Sequence, residues 1–574
     1  STTVICTDKT GTLTENQMTV KNIILDSREI EVTGTGYKPE GEFYDNDSTV
    51  DVKKDEDLAL FLKAGTLCSN AVVNKGDELW EVVGDPTEGA LVTAARKAGF
   101  DREEMEQTGY RRLEEIPFDS DRKYMAVAYD TPEGEMVYVK GAPEVMLEMC
   151  AQYKTEGGEK KLTEQKKEQF LNQNRELAKE GLRLLAVAVK SKEENDLSEE
   201  IKSGLVFLGL VGIMDPPRSD VKEAIGQAHS AGVRTIMITG DQSDTALAIG
   251  KKIGIEDDSG EAITGAEMDE YSTEELAEKI ASHSVFARVS PKNKLDIIDG
   301  LNKNRQVTAM TGDGVNDAPA LKKADIGVAM GQRGTAVARE ASDMVLLDDR
   351  FSTIVDAVRR GRVIFDNIKK FIHYLFSCNL SEILFLLIGI ILQVPTPLLA
   401  LQILWLNLVT DVFPALVMAW ESPEGDVMLN KPRDPDQAIL THKFKLKIGF
   451  QALIITLGPL LAYLSVLDSY SVMESRTIGF VTLALVQLFH VFDVRRNDGL
   501  GFDSTLLDNK YLWGAIVLTF SLQLFAVYVP FMQVVLDTVA LSPEMWLPVA
   551  LGSLLPVLVI QMISLFKKLY RGKN

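Results

Sequence analysis

The chain has 574 residues, which at about 150 residues per domain predicts three or four domains. Its formal net charge of −22 argues against a nucleic-acid partner, because binding to a phosphate backbone needs an excess of Lys and Arg. Its four cysteines are scattered without a CxxC pair, which predicts free thiols and excludes a disulfide scaffold and a zinc site.

Apolar and β-branched runs alternate with helical patterns in the first 350 residues. Four runs end in an acidic or Gly-rich turn, and they cover residues 3–6, 235–238, 307–310 and 326–330. Helical patterns lie between them, for example at 220–231 and 244–253. This alternation predicts a doubly wound parallel α/β sheet, whose ligand site lies at the carboxyl ends of the strands. We therefore expect the acidic turns to meet at one edge of the sheet.

The sharpest motif is Asp8-Lys-Thr-Gly-Thr-Leu-Thr, directly after the first run. An Asp just beyond a strand can attack a phosphorus atom and form an aspartyl phosphate. Gly11 lets the backbone approach, and nearby N–H and hydroxyl groups can hold the phosphoryl oxygens. The alternative is an ordinary strand-to-helix turn. A second motif, Thr311-Gly-Asp-Gly-Val-Asn-Asp-Ala-Pro-Ala-Leu, argues against that alternative.

The last third of the chain predicts six membrane-spanning helices, since each of six apolar runs has about the 20 residues that a bilayer requires. The runs cover residues 371–392, 398–420, 448–467, 478–492, 512–532 and 545–566. The fourth is short unless Arg476 and Asp493 lie at the interface. Positive charge lies on alternate connections, such as Arg359 and Arg360 before the first run and Lys443 after the second. Both ends of this unit are therefore expected in the cytoplasm. Buried core helices are the alternative, which the charge alternation disfavours.

With these motifs the chain resembles the P-type cation-transporting ATPases, within the haloacid-dehalogenase-like superfamily. The motifs agree in order, and they are DKTGTLT at 8–14, KGAPE at 140–144, DPPR at 215–218, TGD at 239–241 and GDGVNDAPAL at 312–321. The resemblance covers essentially the whole chain. It implies a split α/β phosphorylation domain of residues 1–20 and 207–350, and an inserted α+β nucleotide-binding domain of residues 21–206. A stalk connection of residues 351–370 and an all-α transmembrane domain of residues 371–574 follow.

The resemblance also implies the parts of a phosphoryl-transfer site that uses ATP as its substrate and Mg²⁺ as its cofactor. Asp8 is the nucleophile, and its carboxylate, the Thr10 carbonyl and Asp313 hold Mg²⁺. Lys294 pairs with the phosphate, Thr239 and Asn316 donate hydrogen bonds to it, and Asp317 supports this group.

Several residues between the motifs fit a nucleotide pocket. Phe118 can stack on adenine with Lys123 nearby, and Lys140 and Gly141 end an apolar run that suits a pocket floor. The family order adds further contacts, which are Glu88, Arg183, Thr10, Thr239, Gly240, Asp241, Arg288, Lys294 and Asn316. One departure is Ser120, where calcium pumps often carry Arg.

Polar groups inside the predicted spans mark an ion pathway, because a carboxylate at membrane depth is costly unless it is partnered. Asn379 and Glu382 are three residues apart, which predicts one helix face. Asn407, Thr410 and Asp411 form a second oxygen-bearing stripe. Polar contacts that merely join helices are the alternative, and two carboxylates fit it poorly.

Two carboxylates with three neutral oxygen donors suit a hard cation. These five residues match the calcium ligands of sarcoplasmic-reticulum-type calcium pumps, and Gln487 stands where those pumps have an acid. We therefore expect a plasma-membrane Ca²⁺ exporter that moves one ion per cycle, with Na⁺ or another monovalent cation as the alternative cargo. The alternative of another class is a membrane-anchored haloacid-dehalogenase-like phosphatase or phosphotransferase, which has no need of Glu382 and Asp411.

The family begins with a transmembrane hairpin, an actuator domain with a Thr-Gly-Glu loop, and a further hairpin. None of these precedes Ser1 or occurs later in the sequence. We therefore expect the C-terminal portion of a pump, whose missing N-terminal part is a partner. On this interpretation residues 1–574 alone bind Mg²⁺ and ATP without transporting ions.

Overall fold

The computed structural model describes residues 1–76, 80–193, 196–257, 259–496, 501 and 505–571. Two compact units emerge, one of residues 2–355 and one of residues 356–574 together with Ser1. The strands of the described residues all lie in the first unit. In chain order they are β1 (Val4–Asp8), β2 (Thr19–Leu25), β3 (Arg28–Val32), β4 (Phe43–Asp45), β5 (Ser48–Thr49), β6 (Val72–Lys75), β7 (Trp80–Val83), β8 (Arg111–Ile116), β9 (Tyr124–Thr131), β10 (Gly134–Gly141), β11 (Cys150–Thr155), β12 (Gly158–Lys161), β13 (Arg183–Ser191), β14 (Leu205–Met214), β15 (Arg234–Ile238), β16 (Ala262–Thr264), β17 (Val285–Ala287), β18 (Thr308–Gly312), β19 (Ile326–Met330) and β20 (Met344–Leu346).

Helices occur in both units of the described chain. The first unit contains α1 (Glu56–Leu67), α2 (Pro86–Lys97), α3 (Arg102–Gln107), α4 (Pro143–Met149), α5 (Glu164–Lys179), α6 (Leu197–Glu200), α7 (Val221–Ser230), α8 (Ser243–Ile253), α9 (Gly265–Glu270), α10 (Thr273–Ser282), α11 (Pro291–Lys303), α12 (Ala318–Lys323) and α13 (Ala336–Ala341). The membrane part contains α14 (Phe351–Ile391), α15 (Ala400–Trp405), α16 (Val412–Val417), α17 (His442–Val466), α18 (Val472–Val494), α19 (Lys510–Tyr528), α20 (Pro530–Leu536) and α21 (Trp546–Arg571).

The first unit contains a seven-stranded sheet in the order β16-β17-β15-β1-β18-β19-β20. Every pairing in it is parallel. Its central strands are buried, which is why the sequence shows continuous apolar runs rather than alternation. The four predicted runs correspond to β1, β15, β18 and β19. The predicted doubly wound parallel sheet is therefore confirmed.

The second sheet of this unit is antiparallel along the order β5-β4-β3-β2-β14-β13-β10-β9-β8, with β11 parallel to β14 and paired to β12. Together with α1–α6 it makes the α+β insertion that the resemblance implied. Residues 207–214 belong to β14, which pairs with β2 and β13 in this sheet, and the parallel sheet resumes at β15.

The membrane unit contains six helical segments long and apolar enough to cross a bilayer, in the part of the chain that the structure describes. They are Phe351–Ile391, Ala400–Trp420, His442–Val466, Val472–Val494, Lys510–Tyr528 and Pro543–Phe566, which confirms the predicted six spans. The stalk and the first span form one 41-residue helix, α14.

Two predicted span boundaries were wrong. The fourth run was expected to reach full length only with Arg476 and Asp493 at the interface, but α18 includes both residues, has 23 residues and is almost wholly buried between its neighbours. It continues to Val494 because Asp493 is buried with hydrogen-bond partners instead of lying at an interface. The fifth helix ends at Tyr528 rather than at residue 532, since Pro530 cannot continue a helix and begins α20.

Candidate functional site

The predicted nucleophile, Asp8, is the last residue of β1 in the middle of the parallel sheet. Its backbone N–H donates to Thr311 Oγ1 at 3.0 Å, and its Oδ1 accepts from the Thr10 N–H at 3.4 Å. Gly11 follows with a φ of +78°, a left-handed conformation that costs a residue with a side chain about 1–2 kcal/mol. The glycine thus allows the chain to turn sharply after the carboxylate.

Lys294, near the start of α11, joins Asp8 to a second carboxylate. Its Nζ lies 2.8 Å from Asp8 Oδ2 and 2.7 Å from Asp317 Oδ1. The other Asp317 oxygen accepts from the N–H groups of Asp313 and Gly314 at 3.2 and 3.1 Å. Burial lowers the pKa of Lys294, but the two carboxylates more than offset this and hold it above its usual value. Lys294 is therefore charged and fixed beside the predicted nucleophile.

Asp313 lies beside these groups, directly after β18, and is half-buried. Burial, followed by the charges of Asp8 and Asp317, raises the pKa of Asp313. Three carboxylates thus face one ammonium, an arrangement that fits a hard divalent cation. No group of three His, Cys, Asp or Glu side chains forms a metal site in the described ranges. The Mg²⁺ ligands implied by the resemblance, namely Asp8, Asp313 and the Thr10 carbonyl, stay a prediction.

The TGD motif lies at the end of the neighbouring strand β15. The Asp241 N–H donates to Thr239 Oγ1 at 3.1 Å, and the Asp241 carboxylate pairs with buried Lys9 at 2.6 Å. The backbone N–H of Arg288 donates to the Asp241 carbonyl at 2.9 Å, so this residue and the Gly240 turn are adjacent. Asn316 is exposed beside Asp317. The structure therefore brings this phosphate-side group to the same sheet edge as Asp8.

The DPPR motif has a structural role that sequence reasoning did not assign. Asp215 accepts from the Thr14 hydroxyl at 2.5 Å, and Arg218 donates to the carbonyls of Gly11 and Thr14 at 3.1 and 3.2 Å. These two side chains hold both ends of the loop that follows Asp8. The DPPR motif is visible in the sequence, but its spacing does not indicate that it contacts the loop after Asp8.

A buried ion pair marks the predicted nucleotide pocket. Lys140 Nζ lies 2.8 Å from Glu88 Oε1 and 3.0 Å from Ser69 Oγ. The other Glu88 oxygen accepts from the N–H groups of Asn70 and Ala71 at 2.7 and 3.0 Å. Glu88 is thus fully engaged with protein groups, and it fixes the Lys140 ammonium at the end of β10.

The remaining pocket residues lie at one end of the antiparallel sheet, where β8 and β10 end and where β9 and β13 begin. Gly141 leaves no room for a side chain, because a Cβ there would lie 2.7 Å from the Lys123 carbonyl. Phe118 is 58% exposed in the loop between β8 and β9, which leaves its ring available for stacking. Arg183, the first residue of β13, donates to Thr87 Oγ1 at 3.2 Å. No hydrogen bond or ion pair among the described residues joins this group to the Asp8 group.

The membrane unit contains the predicted ion residues. Glu382 of α14 accepts from Asn407 Nδ2 at 2.9 Å and from Gln487 Nε2 at 3.1 Å. Asn407 belongs to a π-helical turn, Leu406–Thr410, that interrupts the second span, and Gln487 lies on α18. Such π turns recur at functional sites. One carboxylate therefore connects three membrane segments.

Four side-chain oxygen atoms of the second span and α18 are buried, and no nitrogen or oxygen of the described residues donates a hydrogen bond to them. They are Thr410 Oγ1, both carboxylate oxygens of Asp411, and Gln487 Oε1. Within the described part of the chain, the Cys378 thiol is the group that interacts with the Asp411 carboxylate. Unpaired buried oxygens are costly, so a cluster of them fits a site for a hard cation.

Asn379 is not brought into this cluster. It is exposed on α14, and its amide donates to the Leu375 carbonyl at 2.8 Å. Side chains three residues apart on a helix are neighbours, and the assignment of Asn379 to the ion residues stays a prediction. All four cysteines are free and buried, as predicted.

Taken together, the fold and these groups define a class of protein: a parallel α/β unit with acidic residues and a lysine at one edge of its sheet, followed by a six-span membrane unit with buried carboxylates. Comparison with known proteins agrees. Residues 57–220 match the family model for the P-type ATPase cytoplasmic domain N, and residues 395–566 match the model for the cation-transporting ATPase C-terminus.

Curated relatives extend the similarity over nearly the whole chain. A calcium-transporting ATPase of Bacillus subtilis is 42% identical over 97% of this chain, and bovine calcium-transporting ATPase type 2C member 1 is 38% identical over 94%. The cation-transporting ATPase pma1 of Synechocystis is 36% identical over 98%. The chain covers 63%, 56% and 64% of these relatives, respectively. The chain belongs to the P-type cation-transporting ATPases.

Proposed function

We propose that this protein transports a cation across a membrane at the expense of ATP, through an aspartyl phosphate on Asp8, and that the cargo is Ca²⁺. The observation that carries the proposal is the presence of two sites in one chain. One is a carboxylate held by Lys294 at the edge of a parallel sheet, and the other is a buried oxygen cluster around Glu382. The calcium-transporting relatives support the same conclusion.

In the proposed phosphoryl transfer, ATP binds with its base against Phe118 and its phosphates toward Asp8. An Asp8 carboxylate oxygen attacks the γ-phosphorus, the bond to the β-phosphate oxygen breaks, and ADP leaves with that electron pair. Lys294 offsets negative charge beside the reacting oxygen, and the Thr10 N–H orients the carboxylate. Mg²⁺, when bound by Asp8, Asp313 and the Thr10 carbonyl, supplies further compensation of phosphate charge.

Two buried carboxylates favour a divalent over a monovalent cargo, because Coulomb attraction scales with the charge of the ion. Gln487 contributes an oxygen without a charge, so the proposal assigns one Ca²⁺ to each cycle. Na⁺ or another monovalent ion is the second candidate, and the neutral Gln487 is the observation that favours it. A membrane-anchored phosphatase of the same superfamily is disfavoured, since it has no use for unpaired intramembrane oxygens.

The proposal places the protein in the plasma membrane, with the phosphorylation and nucleotide-binding domains in the cytoplasm. The cytoplasmic side is supported by the positive charge at Arg359, Arg360 and Lys443, on connections that the positive-inside rule assigns to the cytoplasm.

The test is phosphorylation of the intact protein by radiolabelled ATP at graded Ca²⁺ and Na⁺ concentrations. We expect a Ca²⁺-dependent, acid-stable and hydroxylamine-labile adduct that Asp8→Asn abolishes. Asp411→Asn should abolish Ca²⁺ activation and spare phosphorylation by inorganic phosphate, which uses only the first unit. Asp468→Asn is the matched control, because Asp468 is exposed near the end of α17.

Each outcome separates the candidates. Activation by Na⁺ that ignores Ca²⁺ would select the monovalent cargo. An adduct on Asp8 that forms equally without any cation, with Asp411→Asn unchanged, would select the anchored phosphatase.

A further inference from the structure

One arginine outside every motif described above reaches the loop that follows Asp8 (residues 9–15, the Asp8 loop). Arg333 lies between β19 and α13, and its Nη2 donates to the Glu15 carbonyl at 3.2 Å. Its other terminal nitrogen, Nη1, lies 2.5 Å from the position that a Cβ would take on Gly11. The guanidinium therefore lies against the glycine at which the chain turns after the predicted nucleophile.

A buried carboxylate fixes the backbone that carries Arg333. Asp349 is 2% exposed and accepts from three consecutive N–H groups, those of residues 331–333, at 2.7, 3.1 and 3.1 Å. Asp349 itself has a φ of +52°, a left-handed conformation that residues with a side chain rarely adopt. Such strain persists only where the surroundings enforce it, and it clusters at functional segments. One strained carboxylate thus holds the segment in a single conformation.

Two further contacts fix the same segment from its other end. Arg339 of α13 donates through Nη1 to two of its carbonyls, those of Gly331 and Gly334, at 3.1 and 2.7 Å. The next residue, Thr335, donates its N–H to the Asp313 carbonyl at 2.8 Å. Residues 331–335 are therefore attached to a carboxylate residue that the resemblance assigns to Mg²⁺, and the arginine at 333 extends from them to the Asp8 loop.

The alternative is an ordinary surface arginine, since Arg333 is exposed. A surface side chain loses conformational entropy when it is ordered, but a backbone fixed in advance lowers that cost. The hydrogen bonds of the Asp8 loop also argue against the alternative. Arg218 donates to the carbonyls of Gly11 and Thr14 at 3.1 and 3.2 Å, and Arg333 donates to the carbonyl that follows. Two guanidinium groups from distant segments thus hold one short loop.

We propose that Arg333 is a positioning residue for phosphoryl transfer, which fixes the Asp8 loop together with Arg218 and keeps the Asp8 carboxylate aligned for attack. The inference rests on the proposed phosphorylation of Asp8. Arg333 acts through the backbone of the loop, and no contact with ATP is assigned to it. Because a displacement of about 1 Å can slow a reaction as much as 100-fold, loosening of the loop slows the attack without weakening ATP binding.

The first test compares Arg333→Met with Lys322→Met in the intact protein. Lys322 is exposed on α12, so its replacement is a matched control for the loss of a surface cation. We expect Arg333→Met to slow phosphoenzyme formation about 10-fold at saturating radiolabelled ATP, with an unchanged half-saturating ATP concentration. A maximal rate equal to that of Lys322→Met would overturn the proposal. So would a raised half-saturating concentration at an unchanged maximal rate, because that result would assign Arg333 to ATP binding.

Gly11 provides a direct test of the contact. A methyl group on Gly11 would lie 2.5 Å from Arg333 Nη1, so it must displace the guanidinium. Gly11→Ala therefore already removes part of what Arg333 contributes. We expect the combined effect of Gly11→Ala and Arg333→Ala on the rate to be smaller than the product of the single effects by about threefold or more. Purely multiplicative effects would overturn the proposal.

Hydrogen–deuterium exchange separates this inference from the proposed function, because it needs neither ATP nor a transported ion. The Gly11 N–H donates to Thr14 Oγ1 and the Thr14 N–H donates to the Lys9 carbonyl, both at 3.2 Å, so these amides report the order of the Asp8 loop. We expect them to exchange about 10-fold faster in Arg333→Met than in Lys322→Met. Absence of any phosphoenzyme from the unaltered protein would refute the proposed function, and exchange would still decide whether Arg333 holds the loop. Equal exchange in the two variants would overturn the positioning role and leave the phosphorylation of Asp8 standing.

Discussion

Replacing Lys294 by Met should damage both the stability of the first unit and its phosphorylation. Lys294 is 8% exposed and bonded to Asp8 and Asp317 at 2.8 and 2.7 Å. Removal of one partner from a buried ion pair costs about 3–5 kcal/mol, because the remaining charges stay buried. Asp8 retains some contact with solvent, so we expect the lower end, about 3 kcal/mol of unfolding free energy. Loss of a fixed donor beside the reacting oxygens should also slow phosphorylation about 100- to 1,000-fold.

Lys292→Met provides the matched control on the same helix. Lys292 pairs with Asp269 at 3.0 Å, but its side chain is 74% exposed, so its removal should change neither quantity measurably. Both variants are compared in the intact protein by chemical unfolding and by the rate of phosphoenzyme formation from radiolabelled ATP. If Lys294→Met phosphorylates within threefold of Lys292→Met, the role assigned to the ammonium is wrong.

Three further predictions concern the first unit. Phe118→Ala should weaken ATP binding about 10-fold, because a stacking contact is lost, and should leave the melting temperature unchanged. Binding is measured by calorimetry, and the control is Leu113→Ala, at another exposed apolar residue nearby. The pKa of Asp313 is raised in the folded protein, so folding stability falls as pH rises from 3.8, the pKa of this carboxyl in the unfolded chain, to its higher folded value. Asp313→Asn should therefore raise the melting temperature by about 2 °C at pH 7 without Mg²⁺ and give no gain at pH 3. The same substitution should abolish phosphorylation. A gain at pH 3 equal to that at pH 7 would contradict the electrostatic cause. Gly11→Ala should slow phosphoenzyme formation about 10- to 100-fold, since its left-handed φ strains the loop after Asp8, whereas Gly226→Ala, in open space on α7, should leave the rate unchanged.

The membrane unit illustrates how a polar network can set the limits of a helix. Burial of Asp493 between His490 and Gln561 lets α18 continue past a charge that, in sequence, marks the end of an apolar run. Just beyond the end of α18, Arg495 is fully buried and bonded to Glu421 at 2.8 Å. Charges at the end of a span are therefore not always interfacial, because partners on neighbouring helices can take the place of water.

The general character of the parallel sheet and the six spans could be predicted from the amino-acid sequence. Continuous apolar runs followed by Asp8, Asp241 and Asp313 were sufficient to predict that these carboxylates meet, because the carboxyl ends of parallel strands share one edge. Apolar runs of bilayer length were likewise sufficient for the spans, since that length depends only on the helical rise. These features are local, and local periodicity is enough to reveal them.

Contacts between side chains that are far apart in the chain could not be predicted in this way. Lys294 bridges Asp8 and Asp317, the DPPR motif holds the loop after Asp8, and Gln487 donates to Glu382 while Asn379 remains exposed. Each of these contacts depends on the rotation and register of elements that pack together although they are distant in sequence. Periodicity reports which face of a helix is apolar, but the partner of a polar residue is set by packing between elements, which no single segment specifies.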